Sequence, residues 1–362
     1  MNIFIRVDSS NEIGTGHLIR CLNLAKALRK IGYDSHFICR DLKGNINSVL
    51  KQEKFKSTIL KENSPEGFVS SKTGITHEAW LKVHWSVDVR QVQKVLQAEQ
   101  ADVMIVDHYG IDENWEKEIQ KHVDKLIVID DLADRKHVCD VLIDQSYSTE
   151  GPMRYQDLTP SSCQLLLGTN YVMMQPIYSE RHHDVRVRSG YIKNVLLNFG
   201  GSDLNDVTGM VSKAFINAKK DDVVLNIVIG KQYKYKEKLT ALTHKNHNIK
   251  IHSNLPTLAE LIEKCDVAIG AAGTTTWERC CLGLPSYIIA IANNQVYNAT
   301  QLSDKGCIKY IGHYDEVTEE IMTNNFKEIL NNKNNSIWSQ MCLDLVDGLG
   351  TQRIIDKVFK KK

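Results

Sequence analysis

The run Asp8-Ser-Ser-Asn-Glu-Ile-Gly14-Thr-Gly16-His17 places an acid, two glycines and an imidazole close together near the start of the chain. Gly14 and Gly16 permit positive φ and let a ligand approach the backbone. An apolar strand pattern precedes the run and a helical pattern comes after it, so His17 falls at a helix start. The free N–H groups and positive dipole end there disfavour an imidazolium. A neutral imidazole in that place can take a proton from water, or it can simply cap the helix. A Gly-rich turn by itself leaves both roles open.

Four further clusters carry chemistry. Asn198-Phe-Gly-Gly-Ser202-Asp203 sets two glycines and a serine at a strand end, which suits an anion or a tight turn. Gly270-Ala-Ala-Gly273-Thr274-Thr275-Thr276-Trp277-Glu278 ends a strand in glycines and opens a helix with hydroxyls. Thr274 to Thr276 can cap that helix or offer hydroxyls to a phosphate. Glu278 can complement the dipole or accept from a ribose diol. Asn293-Asn294-Gln295 offers three amides suited to sugar hydroxyls and N-acetyl groups, or to a turn. Asp107-His108-Tyr109-Gly110, with Asp130-Asp131 and Arg135 further on, groups acids with a histidine and a tyrosine. Such groups can orient a nucleophile or donate to a leaving oxygen, and they can equally make local loop bonds.

These clusters need a scaffold. Short apolar runs at Ile3–Val7, Ser35–Cys39, Val103–Asp107, Lys125–Asp131 and Val141–Asp144 read as strands. So do Val195–Phe199, Val224–Ile229, Lys250–His252, Val267–Gly270, Tyr287–Ile291 and Ile308–Ile311. Helical patterns fill the gaps, the first from His17 to Ile31 and stopped by Gly32. Continuous apolar strands alternating with helices mean parallel sheets covered on both faces. The expectation is an α/β chain of two doubly wound, Rossmann-like domains: 1–170, a linker 171–193, and 194–362. The last helix, Thr351–Lys360, could cross back to the first domain. All five clusters then sit at strand carboxyl ends, where open α/β sheets bind ligands, and the two rims would form one interdomain cleft.

Composition limits the function classes. A chain of 362 residues is long enough for two real cores. Lys plus Arg is 45 against 44 for Asp plus Glu, a balance that argues against nucleic-acid binding through a general basic field. No stretch approaches the ~20 apolar residues of a spanning helix, so membrane insertion is not expected. Nine cysteines in scattered spacing suggest reduced thiols and a cytoplasmic setting. No acidic cluster with metal spacing stands out, so neither metal nor cofactor is expected. Nothing points to a partner protein, and a monomer is the simplest expectation.

Taken jointly, the motifs resemble a known family. They are Gly14-Thr-Gly-His-x-x-Arg20, Trp80-Leu-x3-Trp-x2-Asp88, Asp107-His-Tyr-Gly110, Asp130-Asp-Leu-Ala-Asp-Arg135, Phe199-Gly-Gly-Ser-Asp203 and Gly270-Ala-Ala-Gly-Thr-Thr-Thr-Trp-Glu278. In order along most of the chain, they resemble the UDP-sugar hydrolase of pseudaminic acid biosynthesis. That family removes UDP from UDP-2,4-diacetamido-2,4,6-trideoxy-β-L-altrose, a step toward flagellin glycosylation and other surface polysaccharide. It is similar to the MurG-like branch of GT-B glycosyltransferases. A spore-coat polysaccharide subgroup shares much of the pattern.

The resemblance implies a GT-B fold with UDP held mainly by the C-terminal domain. It implies His17 as the catalytic base, with Asp8 in the same turn and Tyr109 near the sugar. It also implies substrate contacts from Gly14, Gly16, Arg20, Ser202, Gly273, Thr274, Thr275, Glu278, Asn294 and Gln295. The expected reaction is attack of water on the anomeric carbon with inversion and loss of UDP, without metal. A glycosyltransferase using a UDP-N-acetylamino sugar is the alternative. The long polar stretch Lys61–Trp80 departs from the family pattern and bears on substrate choice.

Overall fold

The computed structural model describes residues 1–61, 75–218 and 222–360. Most of the polar stretch noted at Lys61–Trp80 therefore lies outside the described residues. The chain divides into two compact units, Met1–Met174 with Leu349–Lys362, and Gln175–Gly348.

In the first unit the elements run β1 (Ile3–Val7), α1 (Gly16–Lys30), β2 (Ser35–Arg40), α2 (Ser48–Gln52), β3 (Lys56–Leu60), α3 (Trp85–Ala98), β4 (Ala101–Asp107), α4 (Glu113–Gln120), β5 (Val123–Ile129), β6 (Val141–Asp144) and β7 (Gln164–Leu167). The strands form one parallel sheet in the order β3-β2-β1-β4-β5-β6-β7. β1 is central, and all five of its residues are buried. Its side chains alternate between faces. Ile3, Ile5 and Val7 meet Leu18, Leu22 and Leu28 of α1, while Phe4 meets Met104, Val106 and Trp115 in the opposite core. Each such apolar side chain contributes about 1.5–3 kcal/mol on burial. α1 closes through Gly32, at φ +87°, with Tyr33 N–H donating to the Leu28 carbonyl (3.0 Å).

The second unit holds α5 (Pro176–His182), β8 (Asn194–Asn198), α6 (Val207–Asn217), β9 (Val224–Ile229), α7 (Lys236–Thr243), β10 (Ile249–Ser253), α8 (Ala259–Lys264), β11 (Val267–Gly270), α9 (Thr275–Cys281), β12 (Ser286–Ala290), α10 (Val296–Lys305), β13 (Ile308–His313), α11 (Glu319–Asn331) and α12 (Asn335–Leu345). Its parallel sheet has the order β10-β9-β8-β11-β12-β13. The chain then returns to the first unit, where α13 (Gly350–Val358) adds Ile354, Ile355 and Val358 to the core under α1. Residues 175–193, read from sequence as linker, lie in the second unit and include α5.

Both sheets begin with the doubly wound order 3-2-1-4-5-6, counting strands within each unit. In each, the chain leaves the first strand one way and the fourth the other. The switch points therefore lie beyond β1 and β4, and beyond β8 and β11, where open α/β sheets hold ligands.

Candidate active site

At the first switch point, parallel register sets Val7 of β1 beside Asp107 of β4. The turn after β1 folds on itself: Gly14 N–H donates to the Ser10 carbonyl (2.9 Å), and Gly14 takes φ +79°. Open space surrounds Gly14, so the positive φ is what calls for glycine there. α1 then starts without a side-chain cap.

His17 does not cap this helix. Its Nδ1 lies 2.6 Å from Asp107 Oδ1. Asp107 also accepts from Arg20 Nε and Nη2, both at 2.7 Å. Burial alone would raise the Asp107 carboxyl, but Arg20 and then His17 outweigh it and hold it far below the usual range. An ionised carboxylate only accepts, so the short contact requires the proton on His17 Nδ1. Nε2 is then the lone-pair nitrogen, and no hydrogen bond engages it among the described residues. This is the geometry of an acid-oriented imidazole base.

Asp131 extends the group. It accepts from Arg20 Nη1 and from the Tyr109 hydroxyl, the latter at 2.9 Å. Burial, reinforced by Asp131, raises the Tyr109 phenol well above its ordinary value, so it stays protonated. The Tyr109 ring meets His17 edge-on at 4.5 Å between centroids. Trp80 lies parallel to Tyr109 at 5.8 Å, and His77 meets Trp80 at 4.5 Å.

Asp8 stands apart from this group, and no hydrogen bond joins it to His17. Its carboxylate accepts from Arg6 (2.6 and 2.9 Å) and from the Arg40 backbone (2.6 Å), with His108 Nε2 at 3.3 Å. Arg6 also bonds Asp88, which takes Trp115 Nε1 at 3.0 Å as well. All of these side chains are buried, and removing one partner of such a network costs about 3–5 kcal/mol. The network holds the carboxyl end of β1, from which the turn leads to α1 and His17. Arg20 is likewise committed to Asp107 and Asp131 and is only 3% exposed.

At the second switch point, Gly200 takes φ +84° and Ser202 makes no hydrogen bond among the described residues. The N–H groups that open α6 are already used. Asp203 accepts from Val207 (3.0 Å) and Thr208 (2.8 Å), and Asp206 accepts from Gly209 (3.2 Å). The α9 start has no side-chain cap, and Gly273 faces open space. Gln295 pins this turn: its Oε1 accepts from Ala272 N (3.3 Å) and Ile291 N (3.1 Å), and its amide N–H groups have no partner among the described residues. Asn294 lies beside it on a short 3-10 helix, partly exposed. Glu278 is partly buried, and burial pushes its carboxyl up to about 7 despite the Tyr178 hydroxyl and Arg279, which lower it.

The structure thus groups His17, Arg20 and Tyr109 around Asp107 and Asp131. Gly273, Thr274, Thr275, Glu278, Asn294 and Gln295 share the α9 side of the second switch point, with Ser202 on the β8 side. The sequence pattern marks Asp107 and Asp131 without tying either to His17, and gives no role to Trp80 or Tyr178. The β1–β4 adjacency is the signal that pairs Asp107 with His17. Among the described residues no group of three or more His, Cys, Asp or Glu is placed to hold a metal ion. No helix among them is long and apolar enough to cross a membrane.

Comparison with known proteins fits this architecture. Residues 195–342 match the glycosyltransferase family 28 C-terminal domain. The chain is 27% identical over 295 residues to an uncharacterised protein of Methanocaldococcus jannaschii, covering 80% of this chain and 55% of that one. It therefore spans about half the length of that relative. It is 22% identical over 307 residues to the UDP-2,4-diacetamido-2,4,6-trideoxy-beta-L-altropyranose hydrolase of Campylobacter jejuni, covering 84% and 97%. It is 21% identical over 340 residues to the spore coat polysaccharide biosynthesis protein SpsG of Bacillus subtilis, covering 91% and 89%. Among solved structures, Acinetobacter baumannii MurG superposes with TM-score 0.66 at 15% identity, covering 99% of both chains. The kitacinnamycin glycotransferase gives 0.67 at 16%, covering 99% and 97%. The fold is GT-B, built from two Rossmann-like parallel-sheet units.

Proposed function

We propose that the protein hydrolyses a UDP-sugar at its anomeric carbon. One observation carries the reading: His17 is oriented through Nδ1 by Asp107 at a switch point, with Nε2 unengaged. In the proposed step Nε2 takes a proton from water. The water oxygen bonds to C1 as the C1–O bond to UDP breaks, with inversion, and the electron pair leaves on the diphosphate. UDP is already a good leaving group, so the carboxylate pair of a glycosidase is not required. Gly200–Ser202 and Gly273–Thr275 would meet the developing charge with N–H groups and hydroxyls, without metal. α6 contributes less, since its own acids occupy its first N–H groups. Glu278 would take the ribose diol, and Asn294 with the Gln295 amide would take UDP or sugar oxygens. Asp107, Arg20 and Asp131 act through His17 and Tyr109.

The substrate we favour is UDP-2,4-diacetamido-2,4,6-trideoxy-β-L-altrose, supported by the motif resemblance and by the name of the Campylobacter relative. That would place the reaction in pseudaminic acid biosynthesis, with a related step in surface or spore-coat polysaccharide as the variant. Nine free thiols suit a reducing, cytoplasmic setting. The match of residues 195–342 to a glycosyltransferase domain favours a second reading, transfer of the sugar to an acceptor. Incubating the protein with a panel of UDP-diacetamido sugars and no acceptor separates the two. Hydrolysis yields UDP and free sugar in equal amounts, whereas a transferase leaves the nucleotide sugar intact.

A further inference from the structure

Trp80 sits on a short 3-10 helix, Glu78–Leu81, beside the His17 group. Its indole lies 25° from the Tyr109 plane at 5.8 Å, and the His17 ring stands nearly perpendicular to it, 86° at 6.3 Å. Trp80 and Trp115 contrast sharply. Trp115 is sealed in the core, 0% exposed, and donates Nε1 to Asp88 at 3.0 Å. Trp80 keeps part of its surface in solvent, and its Nε1 has no hydrogen-bond partner among the described residues. Filling a core explains Trp115. It does not explain a large apolar face left partly bare next to an imidazole base, with a donor unspent. Tyr109, by contrast, is buried and gives its hydroxyl proton to Asp131, so it offers a sugar ring no bare apolar face. His77 packs against Trp80, 66° at 4.5 Å between ring centroids.

We infer that Trp80 is the platform on which the sugar ring of the substrate stacks, with the indole N–H donating to a sugar oxygen. The chemical class is a pyranose with one face of C–H or methyl groups, which matches an indole plane, and oxygens at its rim. This rests on the reading of His17 as the base of UDP-sugar hydrolysis and assigns the sugar-recognising surface of that same site. Sugar affinity then comes from Trp80, while UDP affinity comes from residues elsewhere in the chain.

Calorimetric titration tests it, in a His17→Asn background so that bound sugar nucleotide persists. UDP and UDP-2,4-diacetamido-2,4,6-trideoxy-β-L-altrose are each titrated into H17N, H17N/W80A and H17N/W80F. The advantage of the sugar nucleotide over UDP should fall about three- to tenfold with W80A and be largely retained with W80F, the range of one lost aromatic contact. UDP affinity should stay unchanged. An advantage that survives W80A overturns the inference. So does a parallel loss of UDP affinity, or a lowered melting temperature with no rescue by W80F, since either marks a packing role. The underlying reading fails separately. If wild type turns over no faster than H17N, His17 is not the base, while the binding contrast still decides Trp80. Failure of both ligands to bind wild type overturns both.

Discussion

Asp107→Asn removes one charge and keeps the shape, and the surroundings of Asp107 dictate the consequence. Oδ1 faces His17 Nδ1 at 2.6 Å and Arg20 Nη2 at 2.7 Å. Oδ2 faces Arg20 Nε at 2.7 Å and Cys21 Sγ at 3.3 Å. The new amide brings two N–H donors into a pocket of donors. Arg20 donates at both positions and cannot accept, and Cys21 sulfur accepts only weakly, so the amide nitrogen is best placed toward His17, the one neighbour that can change tautomer. His17 then carries its proton on Nε2 and accepts at Nδ1, which removes the lone pair that takes the proton from water. A wrong tautomer of this kind costs roughly 10³- to 10⁴-fold in kcat, or about 4–5.5 kcal/mol of barrier. Fold stability should fall less than the ~3–5 kcal/mol of a fully stranded buried charge, because Arg20 keeps Asp131. UDP release, monitored continuously, gives kcat. Calorimetry with UDP should show unchanged affinity, and a melting curve should show a folded protein. A folded D107N with kcat within about tenfold of wild type would refute the orienting role.

Three other outcomes are expected. His17→Asn should keep UDP affinity and lose roughly 10²-fold or more in turnover, and near-normal turnover would remove His17 as the base. Activity should survive EDTA, and a loss that Mg²⁺ or Mn²⁺ restores would contradict charge stabilisation by N–H groups and hydroxyls alone. Glu278→Ala should weaken UDP binding by roughly 10- to 150-fold if the carboxylate takes the ribose diol; unchanged affinity with an altered melting temperature rejects that role. Burial lifts the Glu278 carboxyl from 4.5 to about 7, so the folded chain holds a proton that the unfolded chain has released. That contribution to stability is present below the unfolded value and lost as pH rises through about 7. E278Q should therefore melt above wild type at pH 8 and level with it at pH 4.

The central strands are legible in the sequence because both their faces are buried, which makes Val267–Gly270 an apolar run and leaves Ile3–Val7 apolar but for Arg6. Edge strands lack that mark. β3, Lys56–Leu60, buries little beyond Leu60, so no apolar run announces it, and β7 at the other edge is only four residues long and fully buries just Leu166. The glycine-bounded turns are legible because positive φ leaves a trace in residue choice. Partnership across the sheet is not. His17 and Asp107 are 90 positions apart and meet only because β1 and β4 are neighbours. Asp8 looks like the natural acid for His17 in sequence, yet the buried Arg6 of β1, two residues earlier, claims it. A buried arginine inside an apolar strand is the clue that an acid nearby is spoken for.

Hydrolysis in water enriched in ¹⁸O tests the account most directly. If water attacks the anomeric carbon, the label appears at C1 of the released sugar and UDP stays unlabelled, with no acceptor in the mixture. Label in the β-phosphate of UDP would mean that a P–O bond breaks instead, and no UDP release without an acceptor would mean transfer. Either result would contradict the mechanism proposed for His17.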